Sequence, residues 1–144
     1  MDYKITQISV FIENKKGRFF NVTKILKENN INIRALNLAD TNDFGILRFC
    51  VDKPNEAYET LKKEHFIVKK NQILAALMED KPGGLMYLLE IINEADLNIE
   101  YVYTFVNAKD NHAVILLKFE NIEEAYEKLK SKINFLDQNY FTQN

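Results

Sequence analysis

Ile8-Ser-Val-Phe-Ile-Glu-Asn-Lys-Lys-Gly-Arg-Phe-Phe20 is answered, 66 residues later, by Leu74-Ala-Ala-Leu-Met-Glu-Asp-Lys-Pro-Gly-Gly-Leu-Met86. In both stretches an apolar, strand-like run ends at a charged turn, and a glycine (Gly17, Gly83) opens an apolar, helix-like run. Working outward, Asn32-Ile33 matches Asn98-Ile99 at the same offset. Glu56-Ala-Tyr-Glu-Thr-Leu-Lys62 matches Glu124-Ala-Tyr-Glu-Lys-Leu-Lys130, now 68 residues apart. The extra two residues fall in one turn, Asp40–Gly45 against Val106–Ala113. A duplicated fold tolerates a length change there, because loops absorb insertions and packed elements do not.

The repeat divides the 144 residues into two domains, 1–71 and 72–144. Units this small are marginally stable alone, which predicts that they bury surface against each other. Hydrophobic residues make up 47% of the chain and charged residues 28%, the balance of a soluble globular protein. No apolar stretch is long enough to span a bilayer, and Met1-Asp-Tyr-Lys-Ile5 begins no signal-peptide core, so the expected location is the cytoplasm. Cys50 is the sole cysteine, which rules out an intrachain disulfide. A net charge of −2 argues against a nucleic-acid or anionic-membrane partner. The halves differ, with net +4 over residues 1–71 and −6 over residues 72–144. Two solvated surfaces can differ this much by chance; the sharper reading is attraction between unlike halves, within or between chains.

The periodicity predicts βαββαβ twice. In the first repeat Ile5–Glu13 alternates Ile8, Val10 and Ile12 with Gln7, Ser9 and Phe11, a strand with one apolar face. Arg18–Asn29 places Phe19, Val22, Ile25 and Leu26 on one helical face, and Asn29-Asn30 ends that helix. Strands follow over Ile31–Ala39 and Ile46–Val51, then a helix opened by Pro54 and a short strand, Phe66–Lys70. The second repeat runs strand Gln72–Met78, helix Gly84–Ala95, strand Leu97–Val106, turn Asn107–Asn111 and strand His112–Phe119. Asn121 with Glu124 three residues later starts a helix reaching Lys132, and Phe135–Phe141 supplies the last strand. No Pro/Gly/Ser-rich linker separates the repeats.

With these residues in place the chain resembles the ACT domains, small ferredoxin-like α+β modules that sense amino acids. Glu79-Asp-Lys-Pro-Gly-Gly84 is similar to that family's Asp-Lys-Pro-Gly turn, while Glu13-Asn-Lys-Lys-Gly-Arg18 carries Lys16 where proline is usual. Ile33–Gly45 and Ile99–Val106 resemble second strands of stand-alone tandem ACT proteins. The resemblance implies two ACT repeats paired side by side through their second strands, as one eight-stranded antiparallel sheet with helices on one face. It implies an amino acid held between the strand–helix turn of one unit and the second strand of its neighbour, and a homodimer that regulates a separate metabolic enzyme.

An amino acid offers a carboxylate and an ammonium. A helix N-terminus presents unpaired N–H groups and a positive dipole end to the first. Gly17, Gly83 and Gly84 allow close backbone approach, and Pro82 stiffens the second turn; equally, a glycine there can serve only the turn. Asp40, Asp43 and Asp80 are ammonium acceptors or ordinary turn aspartates. Asn14, Arg18, Phe44, Gly45 and Leu85 complete the ligand-binding set that the resemblance implies at these turns. Arg34, opposite in sign to its counterpart Glu100, reads as a solvated strand residue before a carboxylate clamp. Tyr101, Tyr103 and Phe105 point one way from their strand and read first as interface residues, with Tyr103 and Phe105 as pocket lining second.

No catalytic constellation, metal-ligand spacing or phosphate loop is present, so neither an enzyme nor a cofactor is expected. Three other readings stay open. One is an oligomerisation module for a partner enzyme, with its pocket lost. The others are a small ferredoxin-like enzyme and an RNA-binding module, the last disfavoured by charge and by one aromatic in each third strand.

Overall fold

A computed structural model describes residues 2–40, 43–105 and 111–142. The chain forms two compact units: Thr6–Asn71 with Phe141–Asn144, and Gln72–Tyr140 with Met1–Ile5.

The first unit contains β1 (Ile5–Glu13), α1 (Arg18–Glu28), β2 (Ile33–Asp40), β3 (Phe44–Val51), α2 (Pro54–Lys63) and the opening residues of β4 (Ile67–Glu79). Antiparallel pairing sets Ile8 opposite Phe49 and Val10 opposite Leu47. β2 is the outer strand, joined to β3 with a register shift between Ile33 and Ala35. The alternation of β1 aims Ile8, Val10 and Ile12 at Val22 and Leu26 of α1 and Ala57 and Leu61 of α2, so both helices cover one face. Helix α1 stops where Asn30 turns left-handed (φ 56), and the Ile31 N–H donates back to the Leu26 carbonyl at 2.9 Å. Gln7 and Ser9, expected on the wetter face of β1, are fully or nearly buried. Burial is tolerated because Gln7 Nε2 donates to Ser9 Oγ at 3.2 Å and Ser9 Oγ to Asn71 Oδ1 at 2.6 Å.

The second unit takes the rest of β4, α3 (Gly84–Glu94), β5 (Ile99–Phe105), β6 (His112–Phe119) and α4 (Ile122–Leu129). β6 pairs with β4 on one side and with the outer strand β5 on the other. Leu74, Ala76, Ile115 and Leu117 face Leu88 and Ile92 of α3 and Ala125 and Leu129 of α4. The Asn121 side chain accepts from the Glu124 N–H at 3.0 Å, the expected N-cap. The N-terminal residues belong here: Tyr3 stacks on Tyr126 with centroids 3.6 Å apart, and Lys4 pairs with Glu123 at 2.8 Å.

The α+β class and the duplicated βαββαβ order are those expected, but the described residues form six strands and not eight. Phe66–Lys70 and Gln72–Met78, expected as separate strands, run on as the single 13-residue β4. Phe135–Phe141, expected as the last strand, gives only one bridge, Phe135 to Ala76. It then turns, because the Asp137 side chain accepts from the Asn139 N–H at 3.0 Å and starts α5 (Asn139–Thr142). Helix α4 ends at Leu129 and not Lys132, and beyond it the Lys132 and Ile133 N–H groups both donate to the Leu129 carbonyl.

The strand–helix turns depend on glycine for different reasons. Gly17 sits at φ 88 with open space where a Cβ would go. Gly84 is regular helix, but a Cβ there would collide with the Glu79 carbonyl oxygen. Gly17→Ala should therefore cost only left-handed strain, about 1–2 kcal/mol. Gly84→Ala should cost more, about 3 kcal/mol, because backbone must move. Urea denaturation midpoints check the order; equal midpoints would contradict it.

Candidate functional site

In the second unit β4 ends at Glu79, and the chain turns through residues 80–83 into α3. The Asp80 N–H donates to the Asn111 carbonyl at 2.7 Å and the Gly84 N–H to the Lys81 carbonyl at 2.9 Å. Gly83, at φ 85, supplies the left-handed step that an L side chain resists. No side chain caps α3 and no acidic residue lies in its first turn, so its positive end keeps its pull on anions. Lys81 Nζ lies 2.6 Å from Glu79 Oε2.

Beside this turn opens a cavity of about 290 Å³. Its apolar floor includes Met78, Leu88 and Ile91, and its rim carries Glu79, Lys81, Tyr87, His112 and Lys132. Gly84 contributes bare backbone to the wall. In the first unit the matching turn leads through Gly17 into α1, beside a cavity of about 280 Å³ that Glu13, Arg18, Phe44, Glu64 and His65 help to line. There Glu13 pairs with Lys15 at 2.9 Å and more distantly with Arg18 at 3.9 Å.

The structure gathers the expected residues into two groups. Asn14 donates through its backbone to the Asp43 carbonyl at 3.3 Å, and Phe44 and Gly45 lie opposite Glu13 and Ile12, so these residues surround the first turn with Gly17 and Arg18. Asp80, Pro82, Gly83, Gly84 and Leu85 make up the second turn. Asp40 belongs to β2, but its side chain is outside the described residues, as is most of the turn expected at Asn107–Asn111. Tyr103 and Phe105 line neither cavity; both are buried, and the Phe105 ring meets Tyr140 edge-on, centroids 6.1 Å apart. Arg34 Nη1 donates to the Phe141 carbonyl at 3.3 Å in a part-buried position, where a solvated strand residue was expected.

His112, Lys132 and Tyr87 were not anticipated. The repeat held the signal for two of them: moving the candidate Phe44 and the helix-end residue Glu64 along by 68 positions reaches His112 and Lys132. Among the described residues no group of three His, Cys, Asp or Glu is placed to hold a metal ion, and no helix is long and apolar enough to cross a membrane.

A family model described as an ACT domain pair matches residues 3–143. The crystal structure of protein BT0572 from Bacteroides thetaiotaomicron is 35% identical, with a TM-score of 0.90 over 99% of this chain and 98% of that one. Regulatory subunits of aspartate kinase from Thermus thermophilus and Thermus flavus share the fold at 16% and 15% identity. Their TM-scores are 0.65 and 0.62, over 90% of this chain and 93% of each of theirs. No curated protein matches the chain.

The ion pair at the second turn has a measurable signature. Hydrogen bonding from Lys81, then its charge, lowers the Glu79 carboxyl pKa below the ordinary value, and Glu79 raises that of Lys81. The pair's contribution is present above the ordinary glutamate range and fades as pH falls through the depressed value; it fades again as pH rises through the raised lysine value. An NMR titration should find Glu79 titrating below the ordinary glutamate value, and Lys81→Met should raise it toward that value. A Glu79 that titrates at the ordinary value in the unaltered chain would refute the pairing.

Proposed function

Because the chain belongs to the ACT domain pair family, we propose that it is a non-catalytic regulatory protein that binds a small amino acid and modulates a separate metabolic enzyme. The observation that carries this reading is the twice-built junction of strand end, left-handed glycine and helix start, each with a cavity beside it. The helix end attracts a carboxylate, and carboxylates at the turn, Asp80 and Glu79 in the second unit, accept from an ammonium. The candidate ligand groups are Asp80, Pro82, Gly83, Gly84 and Leu85 at the second turn and Asn14, Gly17, Arg18, Asp43, Phe44 and Gly45 at the first, and one occupied turn suffices for this reading. The proposed setting is a cytoplasmic homodimer, in which ligand binding changes affinity for the enzyme by a typical allosteric coupling of about 1–3 kcal/mol.

A second reading has an observation in its favour. Met86 and Tyr87 are both 56% exposed on α3, and Leu85 is 42% exposed, an apolar surface that suits a protein contact. On that reading the chain is an interaction module that needs no ligand.

Melting curves against each of the twenty amino acids at millimolar concentration separate the two. A ligand at one hundred times its dissociation constant stabilises by about 2.7 kcal/mol, a shift of several degrees for a chain of this size. The sensor reading predicts at least one such shift. Twenty unshifted curves from ligand-free, folded protein would refute it and leave the interaction module.

A further inference from the structure

The two cavities stand at equivalent places in the repeats. Each lies at the end of its repeat's first strand, by the start of the first helix, and reaches the first residues of the third strand and the turn after the second helix. Glu13 and Glu79 match, yet three other matched positions diverge. Phe44 becomes His112, Glu64 becomes Lys132, and Arg18 becomes Gly84. The N-terminal cavity therefore sets two carboxylates, Glu13 and Glu64, beside Arg18 and His65, with Arg18 3.9 Å from Glu13. The C-terminal cavity has one, Glu79, with Lys81, Lys132 and His112 around it.

Position supports the contrast. Glu79 and His112 are cross-strand partners, so a carboxylate and an imidazole sit side by side at the mouth. Gly84 adds only backbone to the wall where the other cavity holds Arg18, and Met78, Leu88 and Ile91 line the apolar part. A volume of about 290 Å³ suits a small molecule and is at the lower limit of ligand pockets, too small for a nucleotide cofactor.

We propose that the C-terminal cavity is the chain's ligand site and that it selects an α-amino acid with an apolar side chain. The carboxylate lies toward the start of α3, Lys132 and His112, the ammonium toward Glu79, and the side chain on the apolar floor. The N-terminal cavity, with Glu64 where the carboxylate would go, binds none, so the chain holds one ligand. This deepens the sensor reading and rests on it for the ligand class.

Calorimetric titration of the whole chain with L-leucine, L-methionine and L-phenylalanine tests the proposal. At least one should bind with one equivalent per chain. Lys132→Glu, which installs the residue of the other cavity at an exposed position, should weaken binding at least tenfold, and Lys132→Ala should weaken it less. Glu64→Asp should leave it unchanged. Binding of an amino acid with unaltered affinity in Lys132→Glu would overturn this assignment while the sensor reading stands. Binding confined to acidic amino acids, or two equivalents per chain, would overturn it as well. Absence of binding by all twenty amino acids would overturn both.

Discussion

The carbonyl oxygen of Glu79 occupies the space that a side chain on Gly84 would need. That close approach is possible because Gly83 takes a left-handed turn and Gly84 has no Cβ, so α3 begins hard against the end of β4. Once the helix starts there, its periodicity directs Leu88 and Ile92 onto Leu74 and Ala76, and the core of the unit follows. The same approach leaves a wall of bare backbone at the cavity's edge. The N-terminal repeat keeps the left-handed glycine but has Arg18 at the next position, so its turn preserves the fold with a different surface.

Each repeat is small for an independent core, and each compact unit is completed by residues from the far end of the chain. Tyr3 covers Tyr126, a ring that also meets Phe135 at 5.7 Å, while Lys4 reaches Glu123 near the start of α4. Phe141, fully buried, offers its carbonyl to Arg34. The sequence repeat thus marks the units without marking their ends, because a terminal segment of a few residues has too little periodicity to show which core it joins.

Much of the fold was legible in the sequence, since the duplicated pattern tested each assignment twice. The apolar stripe of α1, the glycine turns and the Asn121 cap stand where periodicity and capping chemistry put them, whereas on α3 Leu88 and Ile92 are buried and Leu85 and Leu89 exposed. The misreadings have local causes. Asn71 stood between two expected strands, yet extended backbone continues through it, and its side chain accepts from the buried Ser9. Alternation on β1 separated Gln7 and Ser9 from the apolar face but only marks polarity, whereas burial is decided by what packs over the second face. Phe135–Phe141 had the apolar content of a strand, but the Asp137 cap outweighed it. At the candidate site the turn was readable because its residues are consecutive. His112 and Lys132 come to the cavity from 33 and 53 positions beyond Glu79, and only comparison between the repeats points to them.

The junction of β4 and α3 is the proposed place of amino-acid binding. Amide chemical-shift mapping of the isotope-labelled chain, titrated with whichever amino acid raises its melting temperature, addresses that directly. The predicted result is that the largest changes fall on Glu79, Gly84, His112 and Ile133, with the matching amides of Glu13, Arg18, Phe44 and His65 little moved. Changes centred on the first turn, or on β2 and β5 with the α3 start unmoved, would contradict it.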